Sequence, residues 1–243
     1  MEHNPLEHFL LFKIYNLQLM GLDISINKAV LMMWLVTVSV ILFFMAATRR
    51  VTLVPGKIQS IAEVMLDFLK KMTLENMGEK GSRFIPFIVT LFFFILFSNL
   101  LGLIPGFYTV TSQLIVTAGF AIVVYAISLG VGIYYHGAGF YHILIPPGTP
   151  FWLLPLMIPI EIVSQLARPI SLAVRLFANM TAGHTVLGVL FGMALGLGVF
   201  IGWLPFTLTI AINGLELFIA FIQAYIFTIL TTVYLGDAMN LHQ

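Results

Sequence analysis

Residues Phe151 to Leu195 read FWLLPLMIPIEIVSQLARPISLAVRLFANMTAGHTVLGVLFGMAL, and this stretch decides the fold. It is largely apolar, yet at about 1.5 Å per residue it exceeds roughly 50 Å as one helix, against about 30 Å of hydrocarbon in a bilayer. A second stretch, Val199 to Leu235, has the same excess. Each must be tilted, kinked or split, and Pro169 and Pro205 are available break points because proline removes a backbone donor and crowds the preceding turn.

Working outward, Ala29 to Ala47, Phe84 to Ile104 and Gln113 to Tyr135 each have the length and apolarity of a spanning helix. The whole chain of 243 residues is 60% hydrophobic and 9% charged, where soluble domains carry about 25% charged residues. The expected fold class is therefore all-α and polytopic, about five membrane-crossing helices in a single membrane domain over 1–243. Between the first two spans, residues 55–77 place Ile58, Ile61, Ala62, Met65, Leu69 and Met72 at three- and four-residue steps, with Lys57, Glu63, Asp67, Lys70 and Lys71 on the other face. That pattern predicts an amphipathic helix lying in the interface.

Charge sets the expected orientation. Arg49, Arg50, Lys57, Lys70, Lys71, Lys80 and Arg83 are seven of the eleven basic residues, so the loop that holds them is cytoplasmic by the positive-inside rule. Five crossings then put the N-terminal segment, 1–28, outside and the C-terminus inside. This topological distribution, with a net charge of +1, gives no basic face for nucleic acid. The first twenty residues carry Glu2 and Glu7 and lack the basic start of a cleavable signal. Without cysteine there is no thiolate site. His136 and His142 flank a proline-containing loop (Pro146, Pro147, Pro150) and read as loop residues, so neither metal nor cofactor is expected.

Five ionisable residues stand inside the apolar stretches: Glu161, Arg168, Arg175, His184 and Glu216. A charge at membrane depth costs from about 2.5 kcal/mol upward, so each needs a reason. Glu161, Arg168 and Arg175 are heptad-spaced and drift only about 20° per step on a helix. Ser164, Ser171 and Asn179 fall near them, completing one polar stripe. His184, nine residues past Arg175, points about 180° away. Thr209, Glu216 and Gln223 form a second stripe, with Asn213 one turn before Glu216, and Glu216 is the natural partner for His184. An imidazole and a carboxylate can pass protons, whereas a guanidinium stays charged and cannot. Two readings stay open for several of these groups. Arg168 either snorkels to the headgroups or belongs to the stripe, Glu161 is either a counter-ion or a path residue, and the His–Glu pair is either structural or conducting. Gly188, Gly192 and Gly196 read as a close-packing ridge.

The run Arg168-Pro-Ile-Ser-Leu-Ala-Val-Arg175-Leu-Phe-Ala-Asn179-Met-Thr-Ala-Gly183-His184 resembles the signature of subunit a of the rotary proton-translocating ATP synthases. So does Glu216-Leu-Phe-Ile-Ala-Phe-Ile-Gln223-Ala-Tyr-Ile-Phe, and Phe97-Ser98-Asn99-Leu100-Leu101-Gly102-Leu103-Ile104-Pro105 extends the likeness upstream. Asn4-Pro5-Leu6-Glu7-His8-Phe9 is similar to the opening of bacterial members. The resemblance implies that Arg175 is the stator arginine and that Asn179 and Gln223 are its polar neighbours. It places Ser171 and Arg168 on the polar stripe and Glu161 towards the cytoplasm. It further implies that the two over-long segments, 151–195 and 199–235, form a tilted hairpin beside a ring of c subunits, with subunit b as another partner, in a bacterial inner membrane. Protons would pass His184, Glu216, Asn179 and Gln223 on one side and Glu161 and Ser164 on the other. Where members often carry an acidic residue after the Asn-Leu of the second span, this chain has Leu101 and Gly102.

Two other classes fit an intramembrane Arg and a His–Glu pair. A secondary transporter usually shows internal repeats and broken helices around a cavity, and neither is evident. In a purely structural subunit, several ionisable residues at depth would be a cost without a return. ATP chemistry belongs elsewhere, since the chain has no phosphate-cradling loop. The Arg175→Lys variant is expected to lose ATP-driven proton pumping, because a buried lysine can shed its proton and lacks the planar fork. Substantial pumping by that variant, read by dye quenching in membrane vesicles, contradicts the assignment.

Overall fold

The computed structural model describes residues 13–15, 18–19, 22–23, 26–49, 52, 55–104, 107, 109–137, 151–197 and 202–240. Its helices are α1 (Lys28–Thr48), α2 (Lys57–Met77), α3 (Ile85–Gly102), α4 (Leu114–His136), α5 (Leu154–Gly196) and α6 (Trp203–Met239). Single 3-10 segments at Glu79–Phe84, Val110–Ser112 and Phe151–Leu153 lead into α3, α4 and α5. All but α2 are long and apolar enough to cross a membrane, so the domain is all-α and polytopic. Ahead of α1, β1 (Lys13–Tyr15) pairs with β4 (Ile26–Asn27), and β2 (Gln18–Leu19) with β3 (Leu22–Asp23), as two minimal antiparallel ribbons. No alternation in the sequence announces them. Asn4 to Phe9, Arg50, Pro105, His142, Pro146, Pro147, Pro150 and Val199 lie outside the described residues.

Helix ends follow local chemistry. Proline stands in the first turn of α3 and α5, where its missing N–H costs no intrahelical bond. Gly78 (φ 67°) and Gly137 (φ 51°) end α2 and α4 in conformations that side chains disfavour. His136 is thus the last residue of α4, not a loop residue, and its ring meets Met239 O of α6 at 3.2 Å.

The two over-long segments stay whole. Pro159 and Pro169 are both inside α5, and each removes one backbone bond without ending the helix. Pro205 does not break α6 but sits in its first turn. At 43 and 37 residues the helices run about 64 and 55 Å, so both must lie steeply across a bilayer about 30 Å thick. They pair antiparallel. Contacts advance along α5 from Arg168 through Asn179 to Gly183 while their partners retreat along α6 from Asp237 through Gln223 to Glu216.

The core sits behind this hairpin. Ile88, Phe92, Phe93 and Ile95 of α3 are fully buried with Leu69 of α2, Leu172 and Leu176 of α5, and Phe227 and Leu235 of α6. Phe43 and Phe44 of α1 close the far side on Phe93, with ring centroids 5.5 and 4.9 Å apart, geometry in which aromatic edges and faces attract. Two buried hydroxyls of α6 are satisfied within their own helix. Thr228 and Thr231 donate to Ala224 O and Phe227 O at 2.7 and 2.8 Å. Half of the apolar window containing α3 is buried, against 11% of that in α5. The outer face of α5, with Val163, Ile170, Val174, Val189 and Leu195, therefore needs lipid or other protein to cover it.

A close backbone approach joins α2 to α6 at Gly236. A Cβ on Gly236 would overlap Asn76 O and stand 3.3 Å from Asn76 C, and backbone cannot swing aside as a side chain can. Gly236→Ala is expected to cost about 1–3 kcal/mol by overpacking and to lower the thermal unfolding midpoint of the purified protein. Gly119→Ala, which meets nothing within 4 Å, is the control, and equal midpoints for the two variants contradict the contact.

Candidate functional site

The hairpin brings polar groups together at Gly183, where a missing side chain leaves room for a partner. Gly183 of α5 has no side chain, and the Glu216 carboxylate of α6 fills that space. An added Cβ would overlap Glu216 Oε1 and lie 2.9 Å from Cδ. One turn along α5, Asn179 Nδ2 donates to Gln223 Oε1 at 2.8 Å, and Gln223 is buried. Asn179, Gly183, His184 and Glu216 line one cavity of about 290 Å³, whose apolar walls include Met180, Val186, Ile212, Leu215 and Ile219.

Glu216 and His184 share that cavity without bonding to each other. Both carboxylate oxygens of Glu216 are buried and have no hydrogen-bond partner, while His184 Nε2 lies 2.7 Å from Thr109 Oγ1. The helix explains why no hydrogen bond joins the two side chains. Consecutive residues diverge by about 100°, so with Gly183 against Glu216, His184 turns towards the segment before α4. Unpaired buried carboxylate oxygens are costly. A cavity of this size has room for several waters at about 30 Å³ each.

The segment before α4 is a second polar cluster, absent from the sequence reading. Thr111 Oγ1 donates to Asn99 Oδ1 at 2.9 Å, and Asn99 Nδ2 donates to Ala220 O at 3.3 Å, tying α3 to α6 one turn from Glu216. Asn99, Thr109, Thr111 and Ser112 are all buried. Asn99 stood in a resembling motif, but nothing in its spacing pointed to Thr109, which reaches a histidine 75 residues away.

Towards the other end of the hairpin, Arg168 Nη1 pairs with Asp237 Oδ2 at 3.3 Å, and its guanidinium lies 5.2 Å from the Tyr234 ring centroid, within cation–π range. Glu161 accepts from Gln165 Nε2 at 2.9 Å. The ion-pair partner of Arg168 is Asp237, which lies beyond the apolar stretch as delimited from sequence. Ser164 and Ser171 are exposed.

Arg175 lies between these ends, half-buried on α5. It makes no hydrogen bond and no ion pair with a described residue. The acidic residues nearest it in the hairpin are otherwise placed, Glu161 on Gln165, Asp237 on Arg168, and Glu216 in its cavity against Gly183. A Cβ added at Gly188, Gly192 or Gly196 meets nothing within 4 Å, so among the described residues nothing packs against their ridge.

Five apolar spans, with ionisable side chains on the two long paired helices, describe an integral membrane protein. The profile of the ATP synthase A chain family matches residues 30–236. The chain is 47% identical over 243 residues to ATP synthase subunit a of Magnetococcus marinus (98% of this chain, 94% of that one). Identity is 43% over 240 residues to the subunit a of Rhodospirillum rubrum (99% and 100%), and 48% over 229 to that of Acidiphilium cryptum (91% of each). The chain belongs to the ATP synthase A chain family, the proton-translocating membrane subunit of the Fo sector.

Gly183→Ala is expected to displace the Glu216 carboxylate at a cost of about 1–3 kcal/mol and to lower ATP-driven pumping at least about fivefold. Gly130→Ala, with open space at its Cβ, should pump normally. Normal pumping by both variants contradicts a working role for the Gly183–Glu216 contact.

Proposed function

We propose that this chain is the stator of a proton-driven rotary motor and holds two half-channels that do not join within it. Protons from outside pass His184, Glu216, Asn179 and Gln223 to neutralise a carboxylate on a ring of c subunits. They leave to the cytoplasm past Glu161, Ser164, Ser171 and Arg168 after the ring has turned. Arg175 stands between the two routes. It attracts the deprotonated ring carboxylate and repels protons, and as a guanidinium it does not relay them.

The observation that carries this reading is Arg175, which has no hydrogen-bond or ion-pair partner among the described residues, on a hairpin whose outer face is apolar and open. A charge at that depth requires an opposite charge, and its own chain spends the nearby carboxylates elsewhere. A carboxylate on a partner meets the need. The entry side is favoured by the orphaned oxygens of Glu216 in a cavity shared with His184, since proton transfer through water requires such groups within reach of one another.

The protein would sit in a bacterial inner membrane with its N-terminus outside and its C-terminus in the cytoplasm, following the basic loop of α2. Subunit b would dock on α2 and the neighbouring spans, and ATP would be made by other subunits without a cofactor here. One charge crossing 100 mV releases about 2.3 kcal/mol, so several protons are needed per ATP. In reconstituted complexes Glu216→Gln should lower proton flux at least about tenfold and flatten its dependence on pH, because a neutral amide cannot exchange a proton. Flux and pH dependence equal to wild type remove Glu216 from the path.

A further inference from the structure

Gly102, the last residue of α3, leaves a space that Thr109 fills. A Cβ added there would lie 2.7 Å from both Thr109 Cγ2 and Thr109 Oγ1 and 3.1 Å from Thr109 Cβ. Both branches of the threonine bear on that space, so a rotation about χ1 that clears an added methyl carries the hydroxyl out of its present place. The backbone of Thr109 is fixed as well. Its carbonyl accepts from Ser112 Oγ at 2.7 Å, and the adjoining turn is tied through Thr111 and Asn99 to Ala220 O of α6. From this buried seat the hydroxyl stands 2.7 Å from His184 Nε2.

A hydroxyl suits the place because it both donates and accepts. Towards a bare Nε2 it donates. Towards Nε2–H, whether the ring is neutral or an imidazolium, it accepts and its own proton turns aside, with Gly102 O 3.4 Å away in one such direction. Every one of these arrangements keeps a hydrogen bond at the observed separation. A valine in the same space could do neither, a carboxylate could only accept, and an ammonium could only donate. The polar neighbours on the α3 side, Asn99, Thr111 and Ser112, are uncharged. In the cavity on the other side, Glu216 is the one other ionisable residue in the lining.

We infer that Thr109, seated against Gly102, is a positioning residue that keeps the Nε2 edge of His184 in one place in both charge states of the imidazole. Gain or loss of a proton then changes the charge of the ring without changing what holds that edge. Thr109 is not the only group acting on His184, so removing the hydroxyl turns the ring and does not release the side chain. The importance of this hold to transport rests on the entry path proposed above, but the hold itself does not.

The test uses the intact ATP synthase complex, imaged by electron cryomicroscopy below and above the titration range of imidazole, with proton flux measured in vesicles. In wild type and in Thr109→Ser the hydroxyl at position 109 should stay within about 3 Å of Nε2 at both pH values, with flux in the serine variant within about twofold of wild type. Two variants should turn the ring: Thr109→Val, alike in shape but without a hydroxyl, and Gly102→Ala, which keeps both partners but occupies the seat. Each should lower flux about fivefold, the equivalent of one neutral hydrogen bond. A wild-type ring that leaves Thr109 at either pH, or a ring unmoved in Thr109→Val or in Gly102→Ala, overturns the inference. Should the valine variant not assemble, the alanine variant and the two wild-type maps decide it. A turned ring with unaltered flux supports the Thr109 hold and counts instead against the entry path.

Discussion

In hydrocarbon every backbone amide must find its partner within its own helix, so polar chemistry at depth depends on side chains meeting where two helices nearly touch. Here that place is Gly183 against Glu216. The absent side chain lets α6 bring a carboxylate onto α5, the Asn179–Gln223 bond fixes the register one turn away, and Arg168–Asp237 fixes it again further along. The core of α3 supports the hairpin from behind. If these three contacts slip, the cavity loses its walls and Arg175 loses its place between the two polar ends.

The same arrangement leaves one charge without a counterpart. Structural arginines in proteins are usually paired or bonded, because a desolvated guanidinium is costly otherwise. Arg175 has no such bond among the described residues, although acidic side chains occur on both helices of its hairpin. The fold thus directs its own carboxylates away from Arg175, one to a cavity and two to other partners. That division fits the proposed stator role, since an internal ion pair would satisfy the arginine within its own chain.

Much of this was legible in the chain because hydrophobic and helical signals are local. Apolar length located the five spans, and the three- and four-residue period of Ile58 to Met72 located α2. The excess length of the last two segments required tilt before any coordinates, although the prolines proved to be first-turn residues or tolerated interruptions and not breaks. Contacts between distant segments were not legible. Thr109 carries no periodic signature that points to His184, and Asp237 follows the apolar run as an apparent tail residue. His184 and Glu216, paired from their spacing, line one cavity without a hydrogen bond between them, since a one-residue offset on a helix is about 100° of rotation.

The central claim is that Arg175 prevents protons from crossing except by rotation. The most direct measurement is passive proton leak through reconstituted Fo sectors whose rotor has been cross-linked to the stator, comparing wild type with Arg175→Ala. The account predicts a tight wild-type complex and a variant that conducts although its rotor cannot turn. A locked Arg175→Ala complex as impermeable as wild type would contradict it.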